Sequence, residues 1–228
     1  MEIGFDILSD LRLDPNESFN WENKATSLYC VLAGNVTHNM RTLWQTLGHL
    51  SKFYQGIFYI PGPLEYVSGD DVEKRTADIQ QIAGRVPNVA VLHQHVVIVD
   101  GIAILGCNGW EDENPNFQHL LTSLRLEDIA YLNKSIDRLQ RHIDVKKILV
   151  VSSAVPKKEL YFGLAPPRAE EAIHLDFALG NDTEHKVSHW AFGTTEKIVD
   201  TTIGNINYVN NPYFRKLPYW PKRISIKV

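Results

Sequence analysis

The chain has 228 residues, 44% of them hydrophobic and 22% charged, with a formal charge of −4. That balance fits a globular protein with a sizeable buried core, and no apolar run reaches the length of a bilayer-spanning helix. The mild acidity argues against a general nucleic-acid binder.

Cys30 and Cys107 sit in apolar contexts and read as reduced core thiols. The N-terminus, from Met1 to Asp6, lacks the basic-then-apolar pattern of a secretory leader. The expected location is therefore the cytosol, or a virion assembled there, and not the secretory route.

In chain order, residues 2–8 form an apolar strand that runs into Ser9-Asp10-Leu11-Arg12-Leu13-Asp14. Residues 27–33 form a second, ending in Gly34-Asn35-Val36-Thr37-His38. Residues 41–54 carry Leu43, Leu47, Leu50 and Phe53 at helical spacing. A short strand at 57–60 then enters Pro61-Gly62-Pro63-Leu64-Glu65-Tyr66. A second helix is expected at 73–86, with Ile79, Ile82 and Ala83 on one face. Three short strands follow at 89–92, 96–99 and 102–105, the last two joined by the hairpin signal Asp100-Gly101. The third helix, 126–142, has a stripe of Leu126, Ile129, Leu132, Ile136 and Leu139. A strand at 147–152 follows, and from Val187 onward the pattern is short strands separated by Gly and Asn. No repeat or low-complexity linker interrupts the chain, which reads as one domain, 1–228. The order implies an α/β fold with mixed sheets, packed face to face between helices.

The loops at the strand ends carry the functional signal, because ligands of open α/β sheets bind beyond the strand C-termini. Five of them, in order, read Asp10-Leu11-Arg12, Gly34-Asn35, Gly62-Pro63-Leu64-Glu65, Ser152-Ser153-Ala154-Val155-Pro156 and Gly193-Thr194-Thr195-Glu196. With the segment Leu105 to Trp110 and the pair Asn211-Pro212, they resemble the calcineurin-like metallophosphoesterases over nearly the whole chain. The resemblance implies a four-layer α/β/β/α sandwich with two mixed sheets and a two-metal site at the strand ends.

The metal ligands that the family implies are mostly replaced here. The first motif has Arg12 where the family has His, the second has Asn35 for Asp, and the third has Pro63 and Leu64 for Asn and His. Ser153 and Thr194 stand in two further His positions, Glu196 replaces a His with a carboxylate, and only Asp10 survives as a matching ligand. Two divalent cations about 4 Å apart need anionic bridging ligands to offset their repulsion. Asn35 is neutral, and a guanidinium offers a metal no acceptor. Arg12 is therefore expected to pair with Asp10, Glu65 or Glu196 inside a vestigial pocket formed by Asp10, Arg12, Asn35, Leu64, Glu65, Ser153, Thr194 and Glu196.

Other chemistry-bearing residues read more plainly. His93 and His95 alternate, which on a strand places both on one face, yet they lie away from the strand-end loops. His38 follows the second loop, without an activated water to assist. His119, His174, His185 and His189 read as surface or hydrogen-bonded residues. Ser152 and Ser153 lack a nucleophile elbow, and Glu111-Asp112-Glu113 is a solvated acidic turn. Residues 213–228 form a basic, aromatic strap. Arg215, Lys216, Lys222, Arg223 and Lys227 face no acid within it, so the rest of the chain carries about −9. Tyr213, Phe214, Tyr219, Trp220, Lys222 and Arg223 are its interface candidates.

The expectation is a catalytically inactive scaffold that binds another protein or copies of itself, as an assembly or virion component, with no cofactor. Two alternatives remain. One is a phosphoesterase with a single Mg or Mn on Asp10, Asn35 and Glu196. The other is a phosphate or nucleotide sensor in which Arg12 receives the anion.

Overall fold

The computed structural model describes residues 1–66, 71–110, 118–161, 175–179, 185–215 and 217–228. The acidic turn 111–113, His174 and Lys216 lie outside the described residues, as does the side chain of His119.

Eleven strands are described: β1 (Glu2–Ser9), β2 (Tyr29–Ala33), β3 (Gly56–Ile60), β4 (Val89–Val91), β5 (His95–Val99), β6 (Ile102–Cys107), β7 (Lys147–Ser152), β8 (Val187–Phe192), β9 (Val199–Ile203), β10 (Ile206–Asn210) and β11 (Lys222–Lys227). The helices are α1 (Met40–Leu50), α2 (Val72–Ala83) and α3 (Gln118–Arg141). One sheet has the order β11-β1-β2-β3-β4, and the other β5-β6-β7-β8-β10-β9. β1 through β4 pair in parallel, and β11 closes that sheet antiparallel. In the second sheet β6, β7, β8 and β10 are parallel, flanked by antiparallel β5 and β9. The fold class is thus α/β with two mixed sheets.

The layering follows from which faces are apolar. Phe5, Ile7, Val31 and Phe58 of the first sheet meet Ile104, Leu149, Val151 and Val209 of the second in the shared interior. On the outer face of the first sheet, Leu43, Leu47 and Leu50 of α1 and Ile79 and Ala83 of α2 pack on Leu8, Leu32 and Tyr59. Leu132, Ile136 and Leu139 of α3 cover the second sheet through Leu105, Val150 and Trp190. Strands buried on both faces need continuous apolar runs, which is why β2, β6 and β7 read as such.

Asp100 and Gly101 both take positive φ, +49° and +82°, as a tight hairpin turn requires. Helix α1 is capped by Asn39, whose side chain accepts from Thr42 N–H at 3.0 Å.

Two sequence expectations shift. Helix α1 ends at Leu50, short of Tyr54. Helix α3 begins at Gln118, and Leu126 is 46% exposed instead of belonging to the buried stripe. The first half of α3 turns a polar pair inward: Arg125 Nη1 donates to the Gly109 carbonyl at 2.5 Å, and Asp128 accepts from Gly109 N–H at 2.8 Å. The residues that organise this half are charged, so hydrophobic spacing missed it.

Candidate functional site

The parallel strands β1, β2, β3, β7 and β8 all end on one side of the molecule, and their loops converge there. Asp10 N–H donates to the Gly34 carbonyl at 3.1 Å, and Arg12 N–H to the Asn35 carbonyl at 2.9 Å, so the first two loops run side by side. Gly193 N–H donates to the Ser152 carbonyl at 3.2 Å, which joins the β8 and β7 ends.

Asn35 is the hub. Its Nδ2 donates to Asp10 Oδ1 at 2.8 Å and to Thr194 Oγ1 at 3.1 Å, and its Oδ1 accepts from Leu64 N–H at 3.1 Å. Asp10 also receives the Thr194 N–H on both oxygens, at 3.0 and 3.1 Å. Thr194 Oγ1 in turn donates to the Ser153 carbonyl at 2.8 Å. Five strand ends are thereby tied together by hydrogen bonds. Burial pushes the Asp10 carboxyl up to about 6 against the Asn35 and Thr194 bonds, which pull it down.

Glu65 ties the second and third loops. Its Oε2 accepts from Gly62 N–H at 2.7 Å and Asn35 N–H at 3.1 Å, and its Oε1 from Val36 N–H at 2.5 Å and Thr37 N–H at 3.3 Å. Burial raises its carboxyl to about 7, opposed by these backbone bonds. Ser153 is fully buried, its hydroxyl without a partner among the described residues. A Cβ on Gly34 or Gly62 would overlap that hydroxyl, so the serine fills the gap between two glycine backbones.

The backbone here is strained. Asp10, Arg12, Asn35 and Thr194 hold φ of +51°, +45°, +55° and +58°. For a β-branched threonine that region is a genuine outlier. Such conformations cost about 1–3 kcal/mol each and persist only where the surroundings enforce them.

The expected ion pair of Arg12 is not formed. Its side chain is exposed, and among the described residues it makes no salt bridge or side-chain hydrogen bond with Asp10, Glu65 or Glu196. The amide of Asn35 and the N–H of Thr194 take the hydrogen-bonding positions on Asp10, and the Arg12 guanidinium acts on that carboxyl only through space, drawing its pKa down. Glu196 is also exposed, away from the hydrogen-bonded knot. Asp10, Asn35, Leu64, Glu65, Ser153 and Thr194 are brought together, and Arg12 and Glu196 stay at the surface.

The groups present do not suit a metal pair. N–H donors, from Asn35 and Thr194, point at the one matching carboxylate, where a cation would need acceptors. Among the described residues no group of three or more His, Cys, Asp or Glu is placed to hold a metal. His93 and His95 do not share a strand face, because Gln94 between them takes φ +48°. His93 is mostly buried against Trp110, while His95 is exposed. His38 is exposed, and His189 lies on β8 bonded to Ser188 at 3.0 Å. Cys30 and Cys107 are free, buried thiols.

One site residue escaped the sequence. Arg75 of α2 is only 6% exposed and donates to the carbonyls of Glu65 (2.6 Å) and His38 (2.7 Å), which clamps the third loop to the second. The signal was its spacing: Arg75, Ile79 and Ala83 fall on one helical stripe.

The strap is part of the fold. β11 pairs with β1 along Glu2↔Lys227 to Ile7↔Lys222, and Lys222 Nζ meets Asp200 at 2.5 Å. Tyr219 is buried beside Trp21 and Tyr213, so it belongs to the core and offers no interface. Tyr213 and Phe214 are half-buried, Arg223 is exposed, and Trp220 is 57% exposed.

Two mixed sheets face to face between helices, with five strand-end loops meeting at one site, constitute a metallophosphoesterase-like fold. Among solved structures the chain is similar to the phosphopantetheinyl hydrolase PptH from Mycobacterium tuberculosis, with a TM-score of 0.63 and 12% identity over 96% of this chain and 95% of that one. A second crystal structure matches with a TM-score of 0.65 and 13% identity, over 93% of this chain and 91% of the other. At these identities the likeness is one of fold. No family model and no curated protein matches the sequence.

Proposed function

We propose that this chain is a binding protein built on a metallophosphoesterase-like frame, in which hydrogen bonds have taken over the work of the metals and hydrolysis has been given up. The observation that carries this reading is the Asn35 amide, which donates to Asp10 and Thr194 and accepts from Leu64. A bridging carboxylate would offer only acceptors at that point. The partner is another protein or further copies of this chain. Exposed Leu217 and Trp220 on the strap support this, since aromatic residues are enriched at interfaces.

Elemental analysis of protein purified without chelator tests the reading, together with a phosphodiester assay in added Mn²⁺. The expected result is less than one metal per chain and no metal-dependent turnover. Two stoichiometric metals, lost together in Asp10→Ala, would overturn it.

A phosphate-sensing reading draws support from Arg12, whose guanidinium is exposed beside the knot. It predicts that phosphate or nucleotide raises the melting temperature, and that Arg12→Ala abolishes the rise.

A further inference from the structure

A cavity of about 790 Å³ lies on the outer side of α1, walled by the loop 16–22 and the turn 85–87. None of the knot residues lines it. Its volume falls within the range of small-molecule sites. Its walls are fixed within the chain. Asn16 N–H donates to Thr42 Oγ1 at 3.0 Å, Trp21 N–H to His49 Nε2 at 3.0 Å, and the buried Trp21 indole to Tyr54 at 2.8 Å.

Two features of the α1 wall stand out. Trp44 is 47% exposed, and among the described residues its ring packs on no other aromatic ring. One turn later stands Gly48, inside the helix and with no positive φ. A Cβ there would meet nothing within 4 Å. Neither backbone conformation nor crowding demands glycine at this position, although it costs the helix about 0.5–1 kcal/mol relative to alanine. Open space over this backbone leaves room for a ligand to approach it.

The chemistry of the lining narrows the ligand. Glu17 and Glu22 balance Lys52 and Arg85, so the cavity has no net charge. Lys52 follows the C-terminus of α1, where the helix dipole is negative and a cation is already favoured. Lys52 is therefore no sign of an anion site. Burial holds the His49 pKa below its ordinary value, so this ring adds no charge near neutrality. The other polar lining is neutral hydroxyl and amide: Asn16, Ser18, Asn20, Gln45, Thr46 and Ser51. A flat indole face beside neutral donors and acceptors suits a ring with an apolar C–H face and a rim of hydroxyls. We propose that the cavity binds an uncharged saccharide, stacked on Trp44 with its ring edge against Gly48.

Saturation-transfer NMR and calorimetry on the full chain test this, with neutral di- and trisaccharides of glucose, galactose, mannose and N-acetylglucosamine as probes. Adenosine and its monophosphate serve as comparison ligands. At least one saccharide should bind and perturb indole fluorescence. Trp44→Ala and Gly48→Leu should each weaken it about tenfold or more, with melting temperatures within about 2 °C of the parent. Gly48→Ala should melt higher, which shows that the position tolerates a side chain. The proposal falls if no saccharide binds the parent, or if binding survives both variants. It also falls if the nucleoside or nucleotide binds this cavity instead, or if Trp44→Ala merely changes the oligomeric state.

Discussion

Asn35 does with two N–H bonds what a bridging carboxylate does with two metals: it pulls the β1, β2 and β8 ends together. Asn35→Asp therefore removes both donors and sets a second carboxylate against Asp10, itself already raised to about 6 by burial. We expect a loss of about 2–4 kcal/mol near neutral pH, or several degrees in Tm for a chain of this size. The loss should shrink in mild acid, where the pair shares a proton, and Mn²⁺ should not restore it. Calorimetric melting of both proteins with and without metal checks this. A full rescue by Mn²⁺ would mean that the frame still accepts a cation. The convergence of Asp10, Asn35, Leu64, Ser153 and Thr194 was legible because their loops kept strand-end order. The fate of Arg12 was not. A guanidinium can reach inward or outward from one Cα, and the order of residues does not decide between the two.

At the scale of elements, β2, β3, β6 and β7 were legible because strands buried on both faces leave nearly unbroken apolar runs. The start of α3 was hidden, because the Arg125 and Asp128 contacts to Gly109 give no periodic signal. The strap was half legible: its composition left both packing on the sheet and docking open, and β11 completes the first sheet while Trp220 stays mostly exposed. Arg215 holds it to the first loop through Asp14 at 2.5 Å, Glu17 at 3.5 Å and the Arg12 carbonyl. Asn211 Nδ2 donates to the Ile7 and Trp220 carbonyls at 3.0 and 2.9 Å. Deletion of residues 213–228 should therefore uncover the β1 edge and the Trp21 cluster, and abolish a cooperative thermal transition. Trp220→Ala, which alters a mostly exposed side chain, should stay within about 0.5 kcal/mol of the parent by denaturant titration. A truncated chain that still melted cooperatively would show that β11 is an accessory.

Across the whole molecule, three carboxyls lie above their ordinary range chiefly through burial: Asp10 at about 6, Glu65 at about 7 and Asp128 at about 6. Each holds its proton in the folded state over a window where the unfolded chain has released it. Their stabilising contribution is complete below the unfolded values near 4 and is lost as pH rises through 6 to 7. His49, His93 and His189 act the other way. Burial lowers their pKa, so the unfolded chain takes up protons first and stability is lost as pH falls below about 6.5. Above that value the unfolded histidines are neutral, and only the carboxyls still titrate. Melting temperature should therefore fall by about 2–4 °C between about pH 6.5 and about pH 8, mainly through Glu65, and Glu65→Gln should flatten most of that slope. A flat profile over this window would mean that the four N–H donors around Glu65 outweigh its burial and hold it as an anion throughout. The second and third loops would then be cinched by a fixed negative charge, and the strained φ of Asn35 would be held by that charge as well as by its own amide.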